Sequence, residues 1–509
     1  MQNDTIKTQV IIVGAGPTGL SLAVQLLRYN IDFILIEKNE KPTHLSKAIV
    51  IQARTLEIFQ ETGLAKKAIE QGRIANAGNV FYNGKKRAVL NLAGLGEGFT
   101  PFPFALSLEQ SKTEALLANY ITGKDKTVLW GCEFSNFKQN ESGVIAYYSD
   151  LNGQEQQIEG AYLVGCDGAH SVVRHQAGMT FQGDTIPKMF YIADVTLNSA
   201  VISEDQLFMF LIKKGFILFF PMEGAGHYRI IGILPGHIGD IEFTFNDIED
   251  SIKQQVAVPV TFEEVRWFSA YKVHSRMANS FMNGRCFIAG DAAHIHTPAG
   301  GQGMNTGIQD VYNLAWKLAF TINGAKTLVL ESYNTERMEN AEHLLRTTDR
   351  IFDIMTGSDK FLNFLRLRVF PIIAGFVTTM KAFNKRIFPL LSQTGIAYPN
   401  SSLTIKSRIG IVKAGDRMHY FPLPGGNIFD MLTEPVFKVL YFGKDSSNFE
   451  KLKGLKQVAI FSFKEIPKDL FGNASDFYIL LRPDNHISYI GKETEACIKL
   501  LHKIGTTAL

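Results

Sequence analysis

The sequence predicts an α/β protein in which a β-sheet domain is inserted into an α/β domain and a smaller α/β domain follows. At 509 residues the chain is longer than one hydrophobic core usually supports, so two or three domains are expected. Apolar runs at 10–13 and 33–36 flank a helical spacing of Leu and Ala at 20–27, which indicates a βαβ unit. A block rich in aromatic and β-branched residues, 189–273, indicates a separate sheet.

The α/β pattern returns after Arg285, where a strand, a glycine-rich loop and helical periodicity follow one another. The first domain is therefore expected to be closed by a segment distant in sequence. From about Leu403, strand-like segments alternate with helical or loop segments and indicate a third domain. The expected boundaries are 1–75, 105–180 and 277–390 for the first domain, 76–104 and 181–276 for the inserted sheet domain, and 400–509 for the C-terminal domain.

Charge and cysteine content favour a cytoplasmic protein without nucleic-acid or membrane partners. Lys plus Arg is 52 and Asp plus Glu is 49, and the two signs are interspersed, which gives nucleic-acid binding no support. The four cysteines have neither CxxC nor metal-ligand spacing, so a reducing compartment and no metal site are expected. The N-terminus lacks a signal-peptide pattern, and charges interrupt the apolar stretch 361–388.

A glycine-rich motif, GAGPTG at 14–19, directly follows the first predicted strand and opens a helix. In that context Gly14 permits a tight turn, Gly16 lets the backbone approach a pyrophosphate, and Gly19 allows close packing of the helix on the sheet. The N-terminus of the helix offers free N–H groups to phosphates, and Glu37 at the end of the next strand can bind a ribose. This predicts a Rossmann-like dinucleotide site and leaves FAD and NAD both open.

A second signature decides for FAD. An apolar strand, 286–289, ends in Gly290-Asp291, and the loop TPAGGQGMN follows at 297–305. Two cofactor segments so far apart in sequence imply an extended ligand. Asp291 can bind ribityl hydroxyls, and the loop glycines let the main chain approach a planar ring. A helix beginning near Asn305 would direct its positive end at that ring and favour the charge of reduced flavin.

The chain resembles the class A flavoprotein monooxygenases with the p-hydroxybenzoate hydroxylase fold. The resemblance depends on GAGPTG at 14–19, on a DG motif, CDGAHSVVR at 166–174, and on AGDAAHIHTPAGGQGMN at 289–305. It implies that Asp167 and Arg174 organise the cofactor cleft and the approach of the nicotinamide. It also places Arg54 and Gln110 against the pyrophosphate and ribityl chain, and Lys47 where relatives often carry Arg. The cofactor-binding residues implied by the motifs and the resemblance together are Gly14, Gly16, Pro17, Thr18, Gly19, Glu37, Lys38, Lys47, Arg54, Gln110, Asp167, Asp291, Pro298, Gly301, Gln302, Gly303, Met304 and Asn305.

The C-terminal region is similar to the tail of phenol hydroxylase-like, polyketide aromatic hydroxylase and rifampicin monooxygenase enzymes. The similarity depends on AGDR at 414–417 and LLRPD at 480–484. It implies a thioredoxin-like α/β domain, which here lacks any CxxC pair. Packing or an oligomer contact, rather than redox work, is therefore expected of it.

The family resemblance implies the reaction. NADPH or NADH reduces FAD, O2 adds at flavin C4a, and the hydroperoxide hydroxylates an aromatic small molecule such as a phenol, a polyketide or an aromatic antibiotic. The flavin supplies the chemistry, so no catalytic side chain is assigned. His294 and His296 flank the flavin loop, where stabilising the turn is the favoured role. The predicted substrate contacts are Phe210, Phe220, Pro221 and Arg229.

Two other functions stay open. A flavin-dependent halogenase usually carries WxWxIP, whereas Trp130, Trp267 and Trp316 are not paired in this sequence. A flavin-loaded binding or sequestration protein is the alternative from a different class, and it would bind without turnover. The oligomeric state is expected to be monomer or homodimer.

Overall fold

The structure is a computed structural model that describes residues 6–43, 48–203, 206–213, 215–234, 243–298, 300–357, 359, 363–372, 381–444, 452 and 457–505, apart from the side chains of Pro187 and of 381–385. Its described helices are α1 Pro17–Arg28, α2 Ala53–Gln60, α3 Leu64–Gln71, α4 Gln110–Thr122, α5 Val172–Gln176, α6 Asn246–Val256, α7 Gly303–Ile322, α8 Leu328–Thr356, α9 Lys381–Leu391, α10 Ile428–Met431, α11 Lys468–Phe471 and α12 Thr494–Ile504. A 3₁₀ turn covers Gly290–Ala292, and a π-helical turn covers Leu365–Val369.

The strands, numbered along the chain, fall into three stretches. The first holds β1 Ile6–Lys7, β2 Val10–Val13, β3 Phe33–Glu37, β4 Val50–Ile51, β5 Arg73–Ile74, β6 Ala77–Tyr82, β7 Lys85–Asn91, β8 Leu106–Ser107, β9 Val128–Trp130, β10 Glu133–Gln139, β11 Val144–Ser149, β12 Glu155–Gly160 and β13 Tyr162–Gly165. The second holds β14 Phe181–Asn198, β15 Gln206–Ile212, β16 Gly215–Pro221, β17 His227–Ile233, β18 Thr261–Ala278, β19 Met282–Asn283, β20 Cys286–Ile288 and β21 His294–Ile295. The third holds β22 Arg408–Ile409, β23 Val412–Lys413, β24 Pro422–Leu423, β25 Gly426–Asn427, β26 Phe437–Phe442, β27 Val458–Phe463, β28 Phe477–Leu481 and β29 Ile487–Gly491.

The first sheet has the order β19-β20-β13-β2-β3-β9, and its neighbours from β20 to β9 pair in parallel. Strand β2 is buried at every position, because α1 and β12 both pack against it, and a strand covered on both faces needs no polar alternation. The strand β20, which precedes the Gly-Asp signature, is two strands away from β2. Parallel order therefore brings the ends of β2, β13 and β20 to one edge.

The second sheet has eight strands in the order β21-β18-β14-β17-β16-β15-β6-β7. It combines strands from 77–91 and from 181–278 with the short strand β21 at 294–295, so the predicted insertion of a sheet into the α/β protein is confirmed. Both of its faces are covered. One packs under α6, and the other packs against Phe352 of α8.

The C-terminal sheet, β27-β26-β28-β29, pairs β26 with β27 in parallel and its other neighbours antiparallel. One apolar cluster joins it to α7 through Trp316 and Phe437, whose ring centroids are 5.8 Å apart. A second cluster, which contains Phe442 and Phe477, forms its other core. The mixed α/β fold predicted from the sequence is confirmed, while the thioredoxin-like assignment of this domain stays a prediction.

Candidate cofactor and substrate site

The turn between β2 and α1 is closed so tightly that only glycine fits at two of its positions. Gly14 has φ +100°, and a β-carbon there would lie 2.5 Å from the carbonyl oxygen of Cys166. A β-carbon at Gly19 would lie 1.9 Å from the carbonyl oxygen of Gly14. At Gly16, by contrast, an added β-carbon meets no atom within 4 Å. The turn is therefore packed on its sheet side and open on the side where Pro17 begins α1, as phosphate binding at a helix N-terminus requires.

Glu37 lies beside this turn, at the end of β3. Its Oε2 accepts a hydrogen bond from the N–H of Ala15 at 2.7 Å, and its Oε1 accepts one from the N–H of Asn39 at 2.9 Å. The carboxylate is thus held next to the glycine turn, in the position expected of a ribose ligand. Lys38, the next residue, is exposed.

The glycine turn contacts the second signature directly. The hydroxyl oxygen of Thr18 lies 2.5 Å from where a β-carbon on Gly290 would be, and 2.4 Å from where one on Gly307 would be. Gly290 and Gly307 belong to the 3₁₀ turn and to α7, so α1 and α7 meet through glycine. Asp291 is exposed within the 3₁₀ turn. The two segments, far apart in sequence, are thus in direct contact.

The loop before α7 packs closely on β4 and leads into the N-terminus of that helix. Gly301, at φ +61°, approaches Val50, and a β-carbon there would lie 3.1 Å from the Val50 β-carbon. Helix α7 begins at Gly303 and has no acidic residue in its first turn. The first N–H groups of a helix have no partner within it, and they carry its partial positive charge. Pro298 and Met304, on either side of this loop, are partly buried.

Asn305 and Gln302 hold the loop with their side chains. Asn305 Oδ1 accepts from the N–H of Gln52 at 2.8 Å, and its Nδ2 donates to the carbonyl oxygens of Val50 and Gly301 at 2.8 and 3.0 Å. Gln302 Nε2 donates to the carbonyl oxygen of Leu390 at 3.1 Å. The side-chain amide of Asn305 and the amide nitrogen of Gln302 are therefore bound to protein groups.

The DG motif connects the same elements. Asp167 accepts from the hydroxyl of Ser171 and, at 3.1 Å, from the N–H of Val173, so it caps the short helix α5. Burial raises the pKa of Asp167, and these hydrogen bonds oppose the rise. Arg174 donates to the carbonyl oxygen of Ala292, in the 3₁₀ turn, at 2.8 Å. This motif thus positions the Gly-Asp segment.

Asp310 of α7 is a buried carboxylate that the sequence reasoning missed. It accepts from the N–H of Gly290 at 2.9 Å, from His294 Nε2 at 2.9 Å and from Arg337 Nε at 2.7 Å. Burial alone would raise the pKa of Asp310, but Arg337 and then His294 hold it below its usual value. Burial, and then His294, lower the pKa of His296 to about 4, so His296 is neutral at neutral pH.

Arg54 binds protein groups outside the glycine turn and the loop before α7. Its Nη1 donates to Glu57 at 3.0 Å, its Nη2 donates to the carbonyl oxygen of Asp484 at 3.1 Å, and the guanidinium lies 5.4 Å from the ring centroid of Tyr312. A guanidinium that is buried and paired in this way faces protein rather than a pyrophosphate. Lys47 lies outside the described residues.

Gln110 lies at the start of α4. It accepts from the N–H of Ala48 at 3.3 Å and donates to Glu114 at 2.9 Å. Gln110 therefore fixes the main chain at Ala48.

The four predicted substrate contacts do not share one face of the large sheet. Phe220 pairs directly with Arg229 across β16 and β17, so both side chains point to the face that α8 covers further along. Phe210 lies on the opposite face, under α6, in contact with Phe81 and Phe219. Pro221 accepts a hydrogen bond on its carbonyl oxygen from Ser107 at 2.7 Å.

Arg229 is fully buried, and its guanidinium binds acceptors of the protein itself. Its Nε and Nη2 donate to the two carboxylate oxygens of Asp194 at 2.7 and 2.6 Å, and its Nη1 donates to the carbonyl oxygen of Ala48 at 3.2 Å. The guanidinium also lies 5.6 Å from the ring centroid of Trp267. This pair joins the large sheet to the cofactor-binding part of the chain.

Comparison with known proteins identifies the family of this chain. The family model described as FAD binding domain matches residues 7–348, which include every motif of the site. The chain belongs to this family. It is 35% identical to 6-methylpretetramide 4-monooxygenase from Streptomyces rimosus over 342 residues, which are 67% of this chain and 61% of that protein. It is 28% identical to pentachlorophenol 4-monooxygenase from Sphingobium chlorophenolicum, over 94% of this chain and 93% of that one.

A solved structure agrees over the whole length. The OxyS anhydrotetracycline hydroxylase from Streptomyces rimosus superposes with a TM-score of 0.79 at 25% identity, and the match covers 98% of this chain and 99% of that chain. Because the chain belongs to the FAD-binding family and these relatives are monooxygenases and a hydroxylase, it is a flavin-dependent monooxygenase that binds FAD. None of the helices that the structure describes is long and apolar enough to cross a membrane. Within the described ranges no group of three or more His, Cys, Asp or Glu side chains is arranged to hold a metal ion.

Alanine at two glycines of the FAD turn is expected to give different outcomes. Gly16→Ala should fold normally, because φ −71° suits alanine and its β-carbon meets no atom, yet bind FAD about tenfold or more weakly because the methyl group enters the pyrophosphate space. Gly19→Ala should lose thermal stability as well, since its β-carbon collides with the backbone. Apoprotein melting and flavin-fluorescence titration measure the two effects. Unchanged FAD affinity in Gly16→Ala would place the pyrophosphate elsewhere.

Glu114 is expected to make stability depend on pH. Burial raises its pKa from 4.5 to about 7, and hydrogen bonds from the Gln110 side chain and the Thr43 backbone oppose the rise. The folded protein then holds a proton that the unfolded chain releases, so stability falls as the pH rises from about 4.5 to about 7. Glu114→Gln should raise the melting temperature more at about pH 8 than at about pH 5. An effect of equal size at both pH values would contradict the assignment.

Proposed function

We propose that this flavin-dependent monooxygenase consumes NADPH or NADH and O2 to hydroxylate an aromatic small molecule, such as a phenol, a polyketide or an aromatic antibiotic. The observation that supports the proposal is the contact of Thr18 with Gly290 and Gly307, which brings two remote segments together where one elongated cofactor cleft would lie. The relatives named above are monooxygenases of a pretetramide and of a chlorophenol, and the similar solved structure is a hydroxylase of anhydrotetracycline. Aromatic substrates are common to all three.

The residues present fit FAD along this cleft. The open side of Gly16 at the start of α1 would receive the pyrophosphate, and Glu37 the ribose hydroxyls. Asp291, exposed beside the Thr18 contact, would bind the ribityl chain. The first N–H groups of α7, at Gly303, would face the pyrimidine edge of the ring, where negative charge develops on reduction. Bound FAD supplies hydride acceptance from NAD(P)H and activation of O2.

The substrate would lie between this cleft and the α8-facing side of the large sheet. Phe220 and Arg229 lie side by side on that face. Leu218 and Ile231 form the next cross-strand pair whose side chains point the same way, and they extend the face. Apolar side chains exclude water and orient an aromatic ring, which is what the protein must contribute when a cofactor supplies the chemistry. Because Asp194 already neutralises Arg229, we assign Arg229 to holding the sheet against Ala48.

We also infer that the protein works in the cytoplasm as a monomer or homodimer, without nucleic-acid or membrane partners. All four cysteines are free and buried, a state that a reducing compartment preserves. Positive and negative charges are interspersed along the sequence rather than gathered into blocks, which gives nucleic-acid binding no support.

The proposed reaction is tested with the full-length protein loaded with FAD. NADH and NADPH oxidation is followed with a panel of phenols, aromatic polyketides and aromatic antibiotics, and the products are analysed by mass spectrometry under ¹⁸O2. A substrate should accelerate oxidation and gain one labelled oxygen atom. Tight binding of an aromatic compound that never yields an oxygenated product would instead support sequestration. Acceleration without oxygenation would show only uncoupled oxidase activity.

Phe210 and Phe220 provide a matched pair for locating the substrate. Phe210→Ala should reduce stability by about 3 kcal/mol or more, because it empties a fully buried position in the aromatic core. Phe220→Ala, at a partly buried position, should cost less stability but raise the substrate KM and divert NAD(P)H oxidation from product. Melting temperature, KM and the ratio of product to NAD(P)H are measured for both. If Phe210→Ala alone changed the KM, the substrate would lie on the α6 side.

A further inference from the structure

The two C-terminal motifs, AGDR and RPD, place polar groups in the FAD-binding part of the chain. Arg417 of AGDR donates from Nη1 to Glu57 Oε1 at 2.9 Å. The carbonyl oxygen of Asp484 in RPD accepts from Arg54 Nη2 at 3.1 Å. Arg54 and Glu57 belong to α2, and none of the four residues is more than 7% exposed. The C-terminal domain therefore completes a buried charged cluster on α2.

The cluster around Glu57 is closely satisfied. Glu57 Oε1 also accepts from the Thr100 hydroxyl at 2.7 Å, and its Oε2 accepts from Arg54 Nη1 at 3.0 Å. Arg417 donates from Nε to the carbonyl oxygen of Thr394 at 3.0 Å. Burial lowers the pKa of Arg417 to about 10, with Glu57 opposing the fall, so Arg417 is charged at neutral pH. Removing it would leave Glu57 with one cationic partner where it now has two.

The segment that carries the Asp484 carbonyl is itself fixed to the flavin domain. Asp484 Oδ2 accepts from the indole N–H of Trp316 at 3.1 Å, and its Oδ1 accepts from Arg482 Nε at 3.0 Å. Arg482 also donates to both carboxylate oxygens of Glu336, at 2.6 and 3.1 Å. Trp316 lies on α7 and Glu336 on α8. The carbonyl group that receives Arg54 is therefore held in place by two helices.

One chain of contacts leads from α2 to the first turn of α7. Asn305 Oδ1 accepts from the N–H of Gln52, just before α2, and from the hydroxyl of Thr55 in its first turn, both at 2.8 Å. The same side chain donates to the carbonyl oxygen of Gly301 in the flavin loop. A shift of α2 would therefore move Asn305 and the loop that precedes α7.

A second chain of contacts runs through the residues before the C-terminal domain. Thr394, whose carbonyl oxygen binds Arg417, directly follows Gln393. Gln393 is buried at φ +59°, and its Nε2 donates to the Thr306 hydroxyl at 2.8 Å. Its Oε1 accepts from Gln309 at 2.6 Å. Arg417 thus reaches the first turns of α7 by two independent routes.

We propose that Arg417 and the Asp484 segment are positioning residues for the flavin, and that the C-terminal domain acts by holding the N-terminus of α7 in register. The inference rests on the proposed placement of the flavin ring at Gly303. Positioning of this kind tolerates only shifts smaller than about 1 Å, because hydrogen bonds from main-chain donors weaken steeply with distance and angle. A C-terminal domain that served only for packing would affect stability without tuning the flavin.

The test compares Arg417→Met with Phe471→Leu in the full-length protein. Phe471 is buried in the C-terminal core against Phe442 and Phe477, at ring centroid distances of 5.1 and 5.0 Å, so its variant lowers stability without removing the ion pair. The readouts are melting temperature, FAD dissociation constant by flavin fluorescence, and flavin midpoint potential. We expect Arg417→Met to weaken FAD binding by about tenfold or more and to shift the potential. Phe471→Leu should leave both near wild type, and Arg417→Lys should be intermediate because a single ammonium cannot reproduce the guanidinium fork.

Wild-type FAD affinity and midpoint potential in Arg417→Met would overturn the proposal, as would equal losses in Phe471→Leu at an equal melting temperature. If Arg417→Met fails to fold, Arg417→Lys takes its place, because it keeps a positive charge beside Glu57 and leaves the Arg54–Glu57 pair intact. It should fold yet bind FAD more weakly than wild type, and wild-type affinity in it would reject positioning. Wild-type substrate turnover is measured separately, so failure of the hydroxylase assignment is distinguished from failure of this inference.

Discussion

The site depends on how closely α7 approaches the first turn of α1. Any side chain larger than hydrogen at Gly290 or Gly307 would collide with the Thr18 hydroxyl. Because both positions are glycine, the first turn of α1 packs directly on the first turns of α7, and neither helix has an acidic residue in its first turn. Two positive helix ends at a fixed separation suit a ligand with phosphates at one end and an electron-accepting ring at the other.

The buried carboxylate of Asp310 stabilises this close approach of α7 to α1. A buried carboxylate is costly unless its charge is paired and its oxygens accept hydrogen bonds. Here Arg337 supplies the opposite charge, while His294 and the N–H of Gly290 form further hydrogen bonds with the carboxylate. Arg337 in turn donates to the Tyr398 hydroxyl at 2.7 Å. The positive φ of Gly290 and the start of α7 are thereby fixed to one anchor, which explains why the histidine beside the flavin loop serves structure.

The sequence predicts best what short-range patterns determine. The strand, glycine turn and helix at 10–28 lie where their apolar runs and glycines indicate, because every determinant is local. The face occupied by Phe210 or Phe220 could not be predicted, since helices cover both sides of the sheet and both faces are apolar. The pairing of Arg54 with Asp484 could not be predicted, because the two residues are 430 positions apart in sequence. The domain boundaries stay predictions.

The ionic character of the contact between the C-terminal domain and α2 needs a reason, because an apolar interface of similar size would be at least as stable. An apolar surface tolerates small sliding, whereas a guanidinium whose Nε and Nη1 bind a carbonyl oxygen and a carboxylate is satisfied in few arrangements. The network therefore fixes register more than it adds stability. Arg54, Glu57 and Arg417 form one unit, so a C-terminal domain exchanged with that of a relative can function only if all three partners match.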